Sequence, residues 1–452
     1  VNKEDATLAM GDSDWEEATY YMGSWEDGAL KTGWQKISVY DEDEDDDMDY
    51  WFNFKSNGEK RVNTKSDKDI FEKKLNGKYY GFDERGVMTY EWTAASTNDL
   101  TTISNWRYFN SPEDGARSTK GWFKVVAPDA DGDDNTFKDY GTGSTFAKGD
   151  AEDENERWYY ADSDGELYVG QIKKIKGKYY GFAPEGNKAG SMLTGLCALT
   201  VDKDGNIVKL WDRDMDSDSL DDALKGEGDF KDFGKSSFDT LYYFGNNEDS
   251  DGALKTGNVT INLDGDSYQF QFSKTGGAEG KGRGVNGIDD GKYIYKFGQK
   301  IKAGSDDKYI VVYADGDTGS TGVNVHKIDT ATLRSDYSAS IGQNKDGDSV
   351  NYVGTLGELA SGKLTSNYYL VNTSGAIVKN KTAAKDGNDW YFYVDEKVIK
   401  MYTNNNTLND SKDYPNANLT ALKKNWDNTK YVVNNGKTVP TTPNDDLIDD
   451  GI

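Results

Sequence analysis

The chain has 452 residues, with 53 Lys and Arg against 80 Asp and Glu, and the resulting charge of −27 excludes a nucleic-acid partner held on a basic face. Only 35% of residues are hydrophobic while 13% are aromatic, so burial must rely on rings, in thin repeated units more than in one deep core. One His and one Cys, His326 and Cys197, cannot supply a Ser-His-Asp or Cys-His arrangement, a structural zinc site or an internal disulfide, and no run approaches the ~20 apolar residues of a membrane span.

Taken in chain order, the predicted elements are short aromatic strands separated by glycine turns. They group as 1–104, 105–239 (with insertions), 240–308, a diverged set 309–402, and a C-terminal hairpin with a polar tail, 403–452. The start at Val1, without an initiator Met, fits a processed or truncated exported chain. Asp27-Gly-Ala-Leu-Lys-Thr-Gly33 returns unchanged as Asp251 to Gly257, and Gly77-Lys-Tyr-Tyr-Gly-Phe82 returns as Gly177 to Phe182, with an echo at Gly291 to Tyr295. Arg157 to Tyr168 reads as a hairpin turning at Asp164-Gly165, and the same punctuation recurs at Asn57-Gly58, Glu185-Gly186, Asp204-Gly205, Asp251-Gly252 and Ser374-Gly375. Asp41 to Asp49 and Asp129 to Asp134 are acidic insertions. Asp216 to Gly226, with Leu220, Ala223 and Leu224 at helical spacing, is the single helix expected. A last hairpin is expected at Tyr431 to Val439 around Asn435-Gly436, before a Pro, Thr and Asp linker. A lone hairpin is barely stable in water, so the expected fold is all-β, an elongated solenoid of stacked hairpins whose rings interleave and bury ~150–250 Å² each.

These hairpins resemble the cell-wall-binding repeat of Gram-positive surface proteins, also called the choline-binding or glucan-binding repeat. Gly28-Ala-Leu-Lys-Thr-Gly-Trp34 is similar to the second half of that motif, Trp158-Tyr-Tyr-Ala-Asp-Ser-Asp-Gly165 to the first half, and Gly86 to Trp92 keeps the Trp spacing with Glu91 in place of Gly. The resemblance covers roughly residues 15 to 400 in patches. It implies open aromatic boxes between hairpins, which bind a quaternary ammonium by cation–π attraction or a sugar by stacking. Carried over by position, Trp34, Trp92 and Trp122 take the Gly-Trp place, and Trp51, Tyr79, Trp158 and Tyr179 the first-strand place. Trp34 with Trp51, assisted by Tyr79, is the best preserved box. The Gly-Trp place is Gln171, Leu196, Asn258, Ser305 and Lys381 elsewhere, so those repeats are expected to be architectural.

Asp129, Asp131 and Asp133 alternate as in a calcium loop, but Asp134 stands where Gly is needed and Tyr140 where the bidentate Glu is needed, so no metal or other cofactor is expected. His326 reads as a surface or strand residue and Cys197 as a buried, inert thiol. The leading expectation is a non-catalytic, secreted or cell-surface module that attaches to a cell-wall polymer or glycan. The alternative is a structural stalk or filament whose repeats only stack and self-associate. No stretch has the ordinary globular composition of a catalytic domain.

Overall fold

The structure, a computed structural model, describes residues 14–23, 26–66, 68–96, 98–100, 102–128, 155–186, 188–276, 280–343, 349–353, 367–404, 432–433 and 439–449. The acidic Asp129 to Tyr140 loop and the Asn435-Gly436 turn lie outside them. Strands dominate, in many small antiparallel sheets, and the chain divides into two compact units.

The first unit comprises 1–193 with 206–208 and 248–252. Five two-stranded hairpins follow one another in it. They are Gly33–Asp41 with Asp46–Phe54, Phe71–Leu75 with Lys78–Phe82, Glu91–Ala94 with Trp106–Phe109, Gly121–Val125 with Arg157–Ala161, and Gln171–Ile175 with Lys178–Phe182. Side chains alternate across each strand. In the first hairpin Tyr50, Phe52 and Phe54 therefore share a buried face, packed with Trp15, Tyr21 and Val87, while Trp34, Lys36, Trp51 and Asn53 share the other. Gly81 of the second hairpin allows close stacking, since a Cβ there would lie 2.3 Å from Thr89 Oγ1 and 3.0 Å from the Phe109 ring.

The second unit comprises 194–205, 209–247 and 253–452. Here hairpins merge into wider sheets. Gly257–Leu263, Asp266–Phe272, Gln299–Lys300, Tyr293–Lys296 and Gly287–Asp289 form one five-stranded sheet in that order, and four- and six-stranded sheets follow. In one of its cores every fully buried residue is aliphatic, among them Ile294, Ile301, Val312 and Val371, with Tyr369 packed at its margin, so reliance on rings is not uniform along the chain.

Two expectations need correction. The strand Arg157–Ala161 pairs forward across Asp164-Gly165 only briefly, through the bridge of Ala161 with Leu167 and the Tyr168 N–H donating to the Tyr160 carbonyl at 3.0 Å; its full-length partner is Gly121–Val125. The tight hairpin turns among the described residues include Asn76-Gly77, Lys176-Gly177, Asp264-Gly265, Phe297-Gly298 and Glu396-Lys397, where both residues have positive φ as a type I′ turn requires. Gly58, Gly165, Gly186, Gly205 and Gly375 also have positive φ, whereas Gly252 does not. The expected helix forms at Ser217–Lys225, capped by Asp216 accepting from the Ser219 N–H and by left-handed Gly226, with Leu220, Ala223 and Leu224 buried. It is not the single helix, since Asp14–Glu17 and Thr330–Tyr337 are also helical.

Cys197 is buried in the strand Leu196–Val201, and burial pushes its thiol up to about 12. His326 lies half-buried in the strand Val325–Ile328, its ring 6.4 Å from that of Tyr313.

Candidate functional site: aromatic boxes

The register of the first hairpin sets Trp34 opposite Asn53 and Trp51 opposite Lys36, so the two indoles are diagonal neighbours on one face. Their rings stand edge to face at 6.4 Å and 82°. The second hairpin supplies the rest of the enclosure, with Tyr80 at 4.8 Å and 63° from Trp34 and the buried Phe82 beneath at 5.8 Å and 29°. Trp34, Trp51 and Tyr80 remain partly exposed.

The fourth and fifth hairpins build the same object. Trp122 stands 6.3 Å and 86° from Trp158, 4.9 Å and 69° from Tyr180, and 5.7 Å and 27° from Phe182. Three ring relationships thus recur within about a tenth of an ångström and a few degrees. The second box gains a further wall because Tyr160 takes the place of Asn53, 5.1 Å from Trp122 and stacked on Tyr168.

A carboxylate and a lysine recur too. The Trp51 indole N–H donates to Glu113 at 3.1 Å, and Lys36 donates to the other oxygen of that carboxylate at 2.7 Å. The Trp158 indole N–H donates to Asp249 at 3.0 Å, and Lys124 donates to the same oxygen at 2.8 Å. The lysine hydrogen bond, aided by the indole, holds both carboxyls below their usual range, and both ammonium groups are held above theirs. Glu113 comes from the loop after the third hairpin, and Asp249 from the loop after the strand Asp239–Tyr243. They hold the indole of the first-strand Trp and neutralise the lysine paired across the hairpin from it, whose free charge would repel a cation.

The third hairpin has the same register, with Trp92 in the place of Trp34 and Trp106 in that of Trp51. Its box is filled. Trp92 and Trp106 are fully buried among Ile103, Tyr159, Leu167 and Phe123, and the Trp92 indole donates to the Val126 carbonyl at 2.7 Å. Ala94 takes the place of Lys36, and Phe123 that of Lys73 in the hairpin that follows.

Of the seven residues picked out by sequence, Trp34 and Trp51 meet, as do Trp122 and Trp158, while Trp92 lies in a core. Tyr79 and Tyr179 face away from the boxes. Tyr79 lies 4.6 Å from the Arg117 guanidinium and 5.4 Å from the Lys74 ammonium, and Tyr179 lies 5.9 Å from Lys174. Tyr80 and Tyr180, one residue on, supply the walls. Strand alternation carried that signal, since Phe82 and Tyr80 share a face; nothing in the sequence marked Glu113 or Asp249.

No family model matches the chain. It is 30% identical over 188 residues to Glucosyltransferase-S of Streptococcus mutans serotype c, which covers 40% of this chain but only 11% of that protein's length. Similar solved structures include the modular autolysin LytC from Streptococcus pneumoniae (16% identity, 65% of this chain and 43% of that one, TM-score 0.27) and CbpJ from the same species (14%, 81% and 100%, TM-score 0.32). The choline-binding domain of Spr1274, also from S. pneumoniae, matches at 21% identity over 26% of this chain and 89% of that one, with a TM-score of 0.14. At these scores the structural likenesses carry no argument about a ligand. Among the described residues no helix is long and apolar enough to cross a membrane.

Proposed function

We propose that this chain, whose hairpins are repeats of the choline- and glucan-binding kind, is a non-catalytic module of the cell surface that holds a cell-wall polymer or glycan through its two open aromatic boxes. The observation that carries the reading is the duplication. Two boxes assembled from different residues agree in their three shared ring distances, and each adds a lysine-bound carboxylate to its first-strand Trp. Packing alone does not demand such agreement at half-exposed positions.

A quaternary ammonium fits this arrangement better than a neutral sugar. Three electron-rich faces favour positive charge, each contributing about 0.5–2 kcal/mol, and the carboxylate cancels the charge of the lysine beside them. The net charge of −27 draws a cationic group inward. Two weak sites on one chain reinforce each other on a polymer that reaches both.

Indole fluorescence tests this. Choline at millimolar concentration changes the emission, Trp34→Ala and Trp122→Ala each remove part of the change, and together they abolish it while circular dichroism stays unaltered. A response that survives the double substitution contradicts the assignment. The filled box at Trp92 and Trp106 supports a second, purely stacking role for the third hairpin.

A further inference from the structure

In the second unit, the hairpin Gly257–Leu263 with Asp266–Phe272 repeats the register of the first, with Asn258 in the place of Trp34 and Gln269 in that of Trp51. The walls are gone but the hollow is not. Two cavities of about 330 and 390 Å³ occupy it, and both are lined by Thr260, Gln269, Tyr293 and Lys300, so they form one continuous groove. The groove opens because strands 266–272 and 299–300 share only the pair of Phe270 with Gln299 before diverging.

The sign of its lining is opposite to that of the boxes. Lys300 and Lys302 line the larger cavity, no Asp or Glu lines either cavity, and neither lysine forms an ion pair among the described residues. Asp289, outside both linings, accepts from the Gln271 amide at 3.1 Å. Lys300 is also placed. Its stem lies against Gly375, and its ammonium sits 4.6 Å from the centre of the Tyr293 ring. In a chain this acidic, two unpaired ammonium groups beside a row of amide and hydroxyl groups form a site for negative charge carried on a hydroxylated molecule.

We propose that this groove binds an anionic saccharide, with its phosphate or carboxylate at Lys300 and Lys302 and its hydroxyls at Asn258, Thr260 and Gln269. The site is separate from the aromatic boxes and does not depend on what they bind.

The test is calorimetric titration of the whole chain with glucose 6-phosphate, glucuronate, glucose and inorganic phosphate. Both anionic sugars bind, the tighter one identifying phosphate or carboxylate as the preferred group, and glucose binds about tenfold more weakly or not at all. Lys300→Gln with Lys302→Gln lowers anionic-sugar affinity about tenfold, Lys300→Glu lowers it further, and the choline response of Trp34 and Trp122 is unchanged in both. Asn258→Ala with Gln269→Ala weakens glucose 6-phosphate but not inorganic phosphate. The proposal is overturned if glucose binds as well as its acids, if inorganic phosphate matches glucose 6-phosphate, if the lysine substitutions have no effect, or if no anionic sugar binds. A lost choline response with intact sugar binding would count against the boxes alone.

Discussion

The hairpins at 33–54 and 257–272 begin from the same seven residues and adopt the same register, yet they present opposite chemistry. Leu30 packs against left-handed Gly58 before the first, and Leu254 against left-handed Gly282 before the second. Phe52 and Phe54 anchor the first hairpin to its core, and Phe270 and Phe272 anchor the second. On the outer face Trp34 and Trp51 become Asn258 and Gln269, and the rings facing a carboxylate give way to amides beside lysines. Period-two alternation explains how this is possible: the scaffold uses one face of each strand and the site uses the other, so each changes without disturbing its counterpart. The third hairpin shows the third outcome, in which both faces become core.

The comparison is broken most forcefully at Trp92. Trp92→Ala should cost about 3–5 kcal/mol in urea unfolding, as expected when a fully buried indole leaves a cavity, with the choline response preserved. Trp34→Ala should do the reverse and lose one choline site for roughly 1 kcal/mol of stability, because its ring is half exposed. Equal stability losses would remove the distinction between filled and open boxes.

Lys60 gives the next largest effect. It bridges Phe54 where the second-unit hairpin has Gly284 bridging Phe272, and it donates to the carbonyls of Trp15 and Glu16 at 3.0 and 2.9 Å. Burial drives its pKa down to about 8 from an ordinary 10.5. A lysine depressed in the folded state carries fewer protons there than when unfolded, so its contribution to stability rises with pH between about 8 and 10.5 and is flat below. The gain is about 3 kcal/mol, opposed above pH 10 by buried tyrosines such as Tyr108, whose hydroxyl burial pushes up to about 12. Lys60→Met should erase the rise; a rise that persists would place its origin elsewhere.

A smaller effect comes from exchanging the faces. Asn258→Trp with Gln269→Trp and Lys300→Gln should add a weak choline site in the second unit, worth about 1 kcal/mol of binding beyond background. No added site would mean that the carboxylate, and not the rings, defines a box. Glu113→Gln addresses that directly. It should weaken choline at the first box roughly two- to fivefold at low salt, and less as salt rises, with the second box untouched.

Much of this was legible in the sequence. The repeated Asp27 to Gly33 string, the Lys-Tyr-Tyr-Gly-Phe strands and the Gly-Trp positions located the hairpins and the Trp34–Trp51 pair, and marked Trp122 and Trp158 singly, whereas their meeting in a second box emerged only with the strand pairing. The pairing partner of Arg157–Ala161 was not legible, because glycines at positive φ close both the hairpins and the loops between them, and position alone does not say which. Tyr80 was one residue from the expected wall, a difference that register decides and composition does not. Glu113 reaches Trp51 across 62 residues, and such a contact exists only once intervening hairpins have stacked.

On the proposed reading the first unit offers two equivalent sites to a quaternary ammonium. Calorimetric titration with choline and with its uncharged isostere 3,3-dimethylbutan-1-ol tests it most directly. Two choline sites per chain, one lost on Trp34→Ala and the other on Trp122→Ala, with the isostere weaker by about 1 kcal/mol, is the predicted result. Equal affinity for the two ligands, or a stoichiometry unaffected by either substitution, would contradict it.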